Sequence, residues 1–216
     1  FKAALKRYED LSQRDSDRYQ YIFPEFNFSK LIDINPNYNG NFTFLSSGHQ
    51  ANYDTNVYEA QINNDFNFNS YDFISGAGLV TNYSFLLKNF NTYGKNSSTY
   101  DEKNDHEIFG TALIKTELPL KKELEKSTNY LKPIIQARYS PTSGKDISSD
   151  EFTMDYNAIF SSNRIGRGDM VENGKSLTFG LEFEKQDLFN DRILSLKIGN
   201  VIKDKKNNNM PTKSKL

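Results

Sequence analysis

The stretch "SLTFGLEFE", residues 176–184, alternates residue by residue. Leu177, Phe179, Leu181 and Phe183 fall on one side of an extended chain, and Ser176, Thr178, Gly180, Glu182 and Glu184 on the other, because strand side chains alternate with period 2. No helical stripe gathers those four apolar residues. After a short polar connection, "RILSLKIGNVIKD" (192–204) sets Leu194, Leu196, Ile198 and Ile202 against Ile193, Ser195, Lys197 and Gly199. The two runs predict a hairpin.

The pattern recurs upstream. "YLKPIIQARY" (130–139) places Leu131, Pro133, Ile135, Ala137 and Tyr139 opposite Lys132, Ile134, Gln136 and Arg138. Residues 152–160 place Phe152, Met154, Tyr156, Ala158 and Phe160 opposite Thr153, Asp155, Asn157 and Ile159. Both runs have the length of a tilted membrane strand, roughly 9 to 11 residues. Pro133 is a weak point of its run, since proline cannot donate to a ladder. Weaker alternation predicts further strands at 18–30, 40–53, 57–69, 72–88 and 106–118, and a helix is predicted only around "PLKKELEKS", 119–127.

The fold class that follows is all-β and antiparallel. Among the connections, "NSYD" (69–72) is short, while "NFNTYGKNSSTYDEKND" (89–105) and 161–174 are long. Short turns at one end and long loops at the other are the habit of outer-membrane barrels. Alternation from the 89–105 loop, however, puts 161–174 at the short-turn end, so the sidedness stays open. Periodicity fits two architectures, a soluble β-sandwich and a barrel with an apolar outside and polar lumen.

Composition narrows the function classes more than the fold. The 216 residues carry 27 basic and 28 acidic side chains, so the global balance points to no nucleic-acid partner. The absence of Cys removes disulfides, thiolate metal sites and thiol catalysis. Mean hydropathy is -0.73, and no run approaches the 18 or so apolar residues of a membrane helix. Aromatics at 14% are too many for a disordered chain. The first residue is Phe and "FKAALKR" lacks the apolar stretch of a signal peptide, which predicts a mature product or a piece of something longer.

Candidate chemistry is sparse. His49 and His106 are the two histidines, with Ser46 and Ser47 near the first, but no Gly-x-Ser-x-Gly elbow accompanies them. No catalytic residue, cofactor or metal site is assigned. In "DEKNDHE" (101–107) a calcium loop starting at Asp101 would have His106 and Ala112 where Gly and Glu are required. A solvated loop is the plain reading there, and a looser cation site bridging lipid phosphates the alternative. Lys132, Arg138 and Lys197 on the polar faces either line a lumen or keep one face wet. Arg167-Gly168-Asp169 reads as a structural hinge rather than an adhesion ligand: Gly166 and Gly168 are expected to supply positive φ, and Asp169 to bond its own backbone.

One resemblance separates the two architectures. "FSSNRIGRGDMVENGKSLTFGL" (160–181) resembles a signature of the LPS-assembly outer-membrane proteins, also called organic-solvent-tolerance proteins. Phe160, Ser161, Arg164, Gly166 or Gly168, Asp169, Gly174 and Gly180 match its pattern, while Met170 stands where the family has Arg. "RYQYIFPEFNF" (18–28), with Pro24 and Glu25, resembles the start of a barrel strand in that family. "YLKPIIQARYSP" (130–141) resembles its Leu-x-Pro strand through Pro133, and "LSLKIGNVIKD" (194–204) its Gly-Gln strand, with Gly199 followed by Asn200. The terminal "MPTKSKL" is similar to a later connection. The resemblance implies an antiparallel segment of a large outer-membrane β-barrel in a Gram-negative bacterium, a single partial-barrel domain over 1–216. The jelly-roll domain and the closing strands of the lateral gate would lie outside it. It implies a noncatalytic part in inserting lipopolysaccharide into the outer leaflet, with a plug lipoprotein, periplasmic jelly-roll components and outer-membrane lipid as partners. A general pore-forming barrel and a secreted β-sandwich adhesin are the competing functions.

Overall fold

In the computed structural model, the structure describes residues 1–9, 11, 19–33, 39–53, 56–142, 146–149, 154–189, 191–205 and 208. Among them the strands are β1 (Lys2–Glu9), β2 (Tyr19–Ile32), β3 (Gly40–Tyr53), β4 (Tyr58–Ser70), β5 (Phe73–Ile74) and β6 (Val80–Lys95). There follow β7 (Asp105–Glu117), β8 (Leu120–Leu124), β9 (Ser127–Ser140), β10 (Gly174–Gln186) and β11 (Arg192–Lys203). They form one antiparallel sheet in the order β1-β2-β3-β4-β6-β7-β9-β10-β11, with β5 on β6 and β8 on β9. Among the described residues β1 and β11 are the ends of that order, and no helix is long and apolar enough to cross a membrane.

Contacts divide the chain into two compact units. The first comprises Phe1–Asn35, Asn41–Phe68 and Leu87–Phe109. One of its faces carries an aromatic ladder across neighbouring strands, Phe28 to Phe44 at 6.0 Å and Phe44 to Phe66 at 4.6 Å between ring centroids. Such cross-strand aromatic pairs are a main source of sheet stability. On the opposite face Lys88 is buried and holds Asp65 at 2.6 Å and the Asn63 side-chain carbonyl at 3.2 Å. Pro24 lies at the bulge of β2, between Ile22 and Glu25, where the registers with both β1 and β3 shift. That is where a strand tolerates proline. Glu25 resumes the ladder and accepts an ion pair from Lys6 at 2.6 Å.

The second unit comprises Pro36–Gly40, Asn69–Leu86 and Gly110–Leu216. Its centre is β9 against β10, in register without a shift from Gly174↔Ser140 to Gln186↔Thr128. The predicted faces are those observed, with the usual burial inverted. Leu177, Phe179 and Leu181 are 44%, 41% and 39% exposed, whereas Thr178 and Gln136 are 0% and Arg138 3% exposed. Pro133 interrupts nothing in the β9–β10 ladder. Its carbonyl accepts from Leu118 N–H at 3.1 Å, so the side with the missing donor faces the break between β7 and β8.

Three expectations need correction, and one strand was missed. Residues 152–160 do not form a strand: 152 and 153 lie outside the described residues, and 156–160 form a turn and a single 3-10 turn at Ala158–Phe160. The loop presses Tyr156, Ile159 and Phe160 against the sheet, the spacing of a turn, so the alternation in the sequence has no pleat behind it. The 119–127 segment is not helical; β8 pairs back on β9 from Leu120↔Leu131 to Leu124↔Ser127. Its charged residues suit an exposed hairpin arm, where Lys121 meets Glu123 at 2.6 Å. The 72–88 run is split into β5 and β6, and β6 continues to Lys95, so the long polar loop shrinks to 96–104. Finally, β1 was not expected, since its polar sequence KAALKRYE shows little alternation. With the strand at 152–160 struck out, the second unit has one long connection, 141–173, and its turns 71–79, 118–126 and 187–191 join the opposite strand ends.

Candidate functional site

The polar face of β9, β10 and β11 is covered by residues 154–173 of the connection between β9 and β10. Two devices seat it. The first is steric: Gly180 and Gly199 face each other across the β10–β11 ladder, leaving a notch in the sheet surface. A Cβ on Gly199 would collide with Ile159 Cδ1, and one on Gly180 with the Phe160 ring, with the Tyr156 hydroxyl 2.9 Å away. Tyr156 and Phe160 meet edge to face at 5.3 Å, and the Lys197 ammonium lies 5.4 Å from the Tyr156 ring centre. Burial and the nearby Glu182 carboxylate push the Tyr156 phenol up. Glu182 itself pairs with Lys132 at 2.9 Å.

The second device is ionic. Arg164 donates from Nε to Glu172 Oε2 at 2.8 Å, pairs with that oxygen through Nη2 at 2.8 Å, and reaches Ser176 Oγ at 3.1 Å. Lys203 contacts the other carboxylate oxygen, Oε1. Arg138 rises from β9 and donates to the backbone carbonyls of Ser162 at 3.0 Å and Glu172 at 2.8 Å. One buried carboxylate thus pairs with two cations, Arg164 on the loop and Lys203 on β11, while Arg138 on β9 holds the backbone of the same residue. Burial alone would raise the Glu172 carboxyl, but Arg164, Lys203 and Arg138 outweigh it and hold it below the usual carboxylate range. Met170 and Val171 complete the seat at 1% and 0% exposure.

At the loop's tip the turn is set by Gly166, at φ 71°, which donates its N–H to Asn163 O at 3.2 Å. Asn163 Nδ2 closes it on Arg167 O at 2.7 Å. Gly174, at φ 96°, returns the chain to β10. Gly168 does not have positive φ and has open space beside it, contrary to expectation. Asp169 accepts from Arg167 Nε and Nη2 at 2.9 Å each, a side-chain fork.

Of the residues singled out from sequence, the structure brings Phe160, Arg164, Gly174, Gly180 and Gly199 together around this loop. Gly168 and Asp169 sit at its tip, Pro133 lies on the opposite face of β9, and Pro24 and Glu25 belong to the first unit. Sequence reasoning missed Glu172, Ile159 and Lys203, and saw Arg138 only as a lumen candidate. No sequence signal marked Glu172, one acid among 28. The remaining candidates do not converge on a reactive centre. Ser46 donates to Asn64 Oδ1 at 2.7 Å, and His106 Nδ1 lies 2.7 Å from Asn91 Oδ1. Among the described residues no three His, Asp or Glu side chains gather as a metal site.

The arrangement can hold a loop against a polar wall while the wall's other face stays apolar. A family model described as LptD, LPS transport system D, matches residues 1–215. No curated protein matches the chain.

Proposed function

Since the chain belongs to the LptD family, LPS transport system D, we propose that its sheet is a wall segment of the outer-membrane translocon that inserts lipopolysaccharide into the outer leaflet, without catalysing a reaction. The observation that carries the reading is the inverted burial. Leu177, Phe179, Leu181, Ile135 and Ile198 are exposed while Thr178, Gln136, Arg138 and Arg164 are buried. In water this would leave a large apolar face uncovered, which soluble proteins avoid; in a bilayer it is the face that hydrocarbon accepts.

The sheet order supports a wall rather than a closed ring. β1 and β11 are its ends, and lipid cannot satisfy the backbone groups of an open edge, at several kcal/mol each. Further strands of the same barrel would pair there, making this domain a partial barrel. The loop seated on the polar face narrows the space through which a phosphorylated saccharide would pass. A plug lipoprotein and the periplasmic jelly-roll components are the partners proposed for the lumen and the entrance.

The test is depletion of the protein from its own Gram-negative host, with surface lipopolysaccharide and solute uptake both measured. Loss of surface lipopolysaccharide, restored by the full-length protein and by Leu181→Ile but not by Leu181→Arg, is expected. Unchanged lipopolysaccharide with reduced solute uptake would replace this reading with that of a general pore.

A further inference from the structure

We propose that the outer wall of the second unit carries a binding site for lipopolysaccharide already in the membrane, its acyl chains in an apolar groove across β6, β7, β9, β10 and β11 and its phosphate at Lys175 and Lys205. The groove encloses 650 Å³ on the exposed face, lined by Phe85, Ala112, Ile114, Ala137, Leu177 and Ile202. Its floor follows from register. Ala137 sits between Ile114 on β7 and Leu177 on β10, and Leu177 faces Ile202 on β11. A methyl side chain between two branched ones leaves a trough between the Ile114 and Leu177 side chains.

This groove runs into a second cavity of 360 Å³ with the opposite chemistry, lined by Lys175, Lys203, Asp204 and Lys205. Tyr139, Lys175, Lys203 and Asp204 border both. The Lys203 charge is used by Glu172, and Asp204 Oδ1 accepts the Lys175 backbone N–H at 3.3 Å. The Lys175 ammonium stands 5.8 Å from the centre of the Tyr139 ring. An apolar channel that opens on a pair of lysines has the shape and charge order of an acylated phosphate ester. The polar cavity lies where β9 ends and β10 begins, the strand ends that carry the long 141–173 connection, with the end of β11 beside them. Long connections of outer-membrane barrels face outward, which sets the lysines at the outer headgroup level. The identity of the lipid rests on the proposed function; the groove and its charge do not.

The experiment uses the full-length protein in its own outer membrane. A photoreactive benzoyl-phenylalanine replaces Phe85 in the groove or, as control, the exposed Phe66 of the first unit. After irradiation the heat-modifiable folded band is probed for lipopolysaccharide and its adduct mass is measured. A lipopolysaccharide adduct is expected at Phe85 and not at Phe66. Lys175→Glu and Lys205→Glu should each cut it by roughly five-fold, as loss of a surface lysine costs about 1 kcal/mol of lipid attraction. Ala137→Trp should abolish it by filling the channel. Equal adducts at both positions, indifference to either charge reversal with the folded band intact, or a glycerophospholipid mass in place of lipopolysaccharide would each overturn the proposal. Failure of the translocon reading shows up separately, as surface lipopolysaccharide that survives depletion of the protein, whereas the Phe85 adduct is read in cells that carry it.

Discussion

The two units bury charge in different ways. In the first, Lys88 meets Asp65 from a neighbouring strand, with side chains 4% and 17% exposed, and Asn63 adds a second acceptor. In the second, Arg164 and Glu172 come from one loop at 1% and 0% exposure and are held by Arg138 and Lys203 from the sheet. The strand pair keeps some access to water and a neutral fallback partner. In the loop cluster Arg164 and Glu172 are shut off from water, with Ser176 Oγ as the one neutral side chain that Arg164 reaches, so the two charges depend on one another. A buried ion pair is costly to form and costlier to break on one side only, which makes the loop's position far more specific than that of the strand pair.

Breaking the comparison at its strongest point gives the largest effect. Glu172→Leu should destabilise the seated loop by about 3–5 kcal/mol, since Arg164 and Lys203 lose their shared carboxylate. Limited proteolysis of residues 154–173 in the folded full-length protein would read this out. Asp65→Asn should cost less, about 1–3 kcal/mol, because Lys88 retains amide acceptors. Next, Leu181→Arg should cost about 2–4 kcal/mol on a lipid face and Glu182→Arg much less, compared as loss of the heat-modifiable folded band. Gly199→Val should then lift Ile159 at about 1–3 kcal/mol of overpacking, whereas Gly168→Val should leave the loop in place; equal protease sensitivity would refute the glycine notch.

The pH response sharpens the contrast further. The Glu172 carboxyl has a folded-state pKa below its unfolded value. Its contribution is therefore complete above the ordinary carboxylate pKa of about 4.3 and is lost as pH falls through the depressed value. Loop protease resistance should thus hold through neutral and mildly acidic solution and fall only below that range, with Glu172→Gln removing the transition. The smallest effect is expected at the tip: Asp169→Glu should change neither loop protection nor cell adhesion.

Alternation made β9, β10 and β11 legible, because a half-apolar pleat writes its two faces into the sequence. It misled at 154–160 for a physical reason. A loop pressed onto a sheet must also present apolar side chains, and over a few residues that spacing imitates a strand. β1 and β8 stayed hidden since exposed, charge-rich strands lack a buried face to impose a pattern. Of the site, Gly180 and Gly199 were visible as motif positions, but their pairing across the ladder depends on register, which sequence spacing does not fix. Glu172 was invisible for the same kind of reason: its partners lie 8, 31 and 34 residues away, from the numbering of Arg164, Lys203 and Arg138.

Those separations also bear on the order of events in folding. The bonds seating the loop span 8 residues to Glu172, 12 to Ser176 and at most 34 from Arg138. Loop-closure entropy grows with the logarithm of such distances, and short-range contacts form early. β9, the loop and β10 therefore make a kinetically local module, with its interior occupied before distant strands arrive.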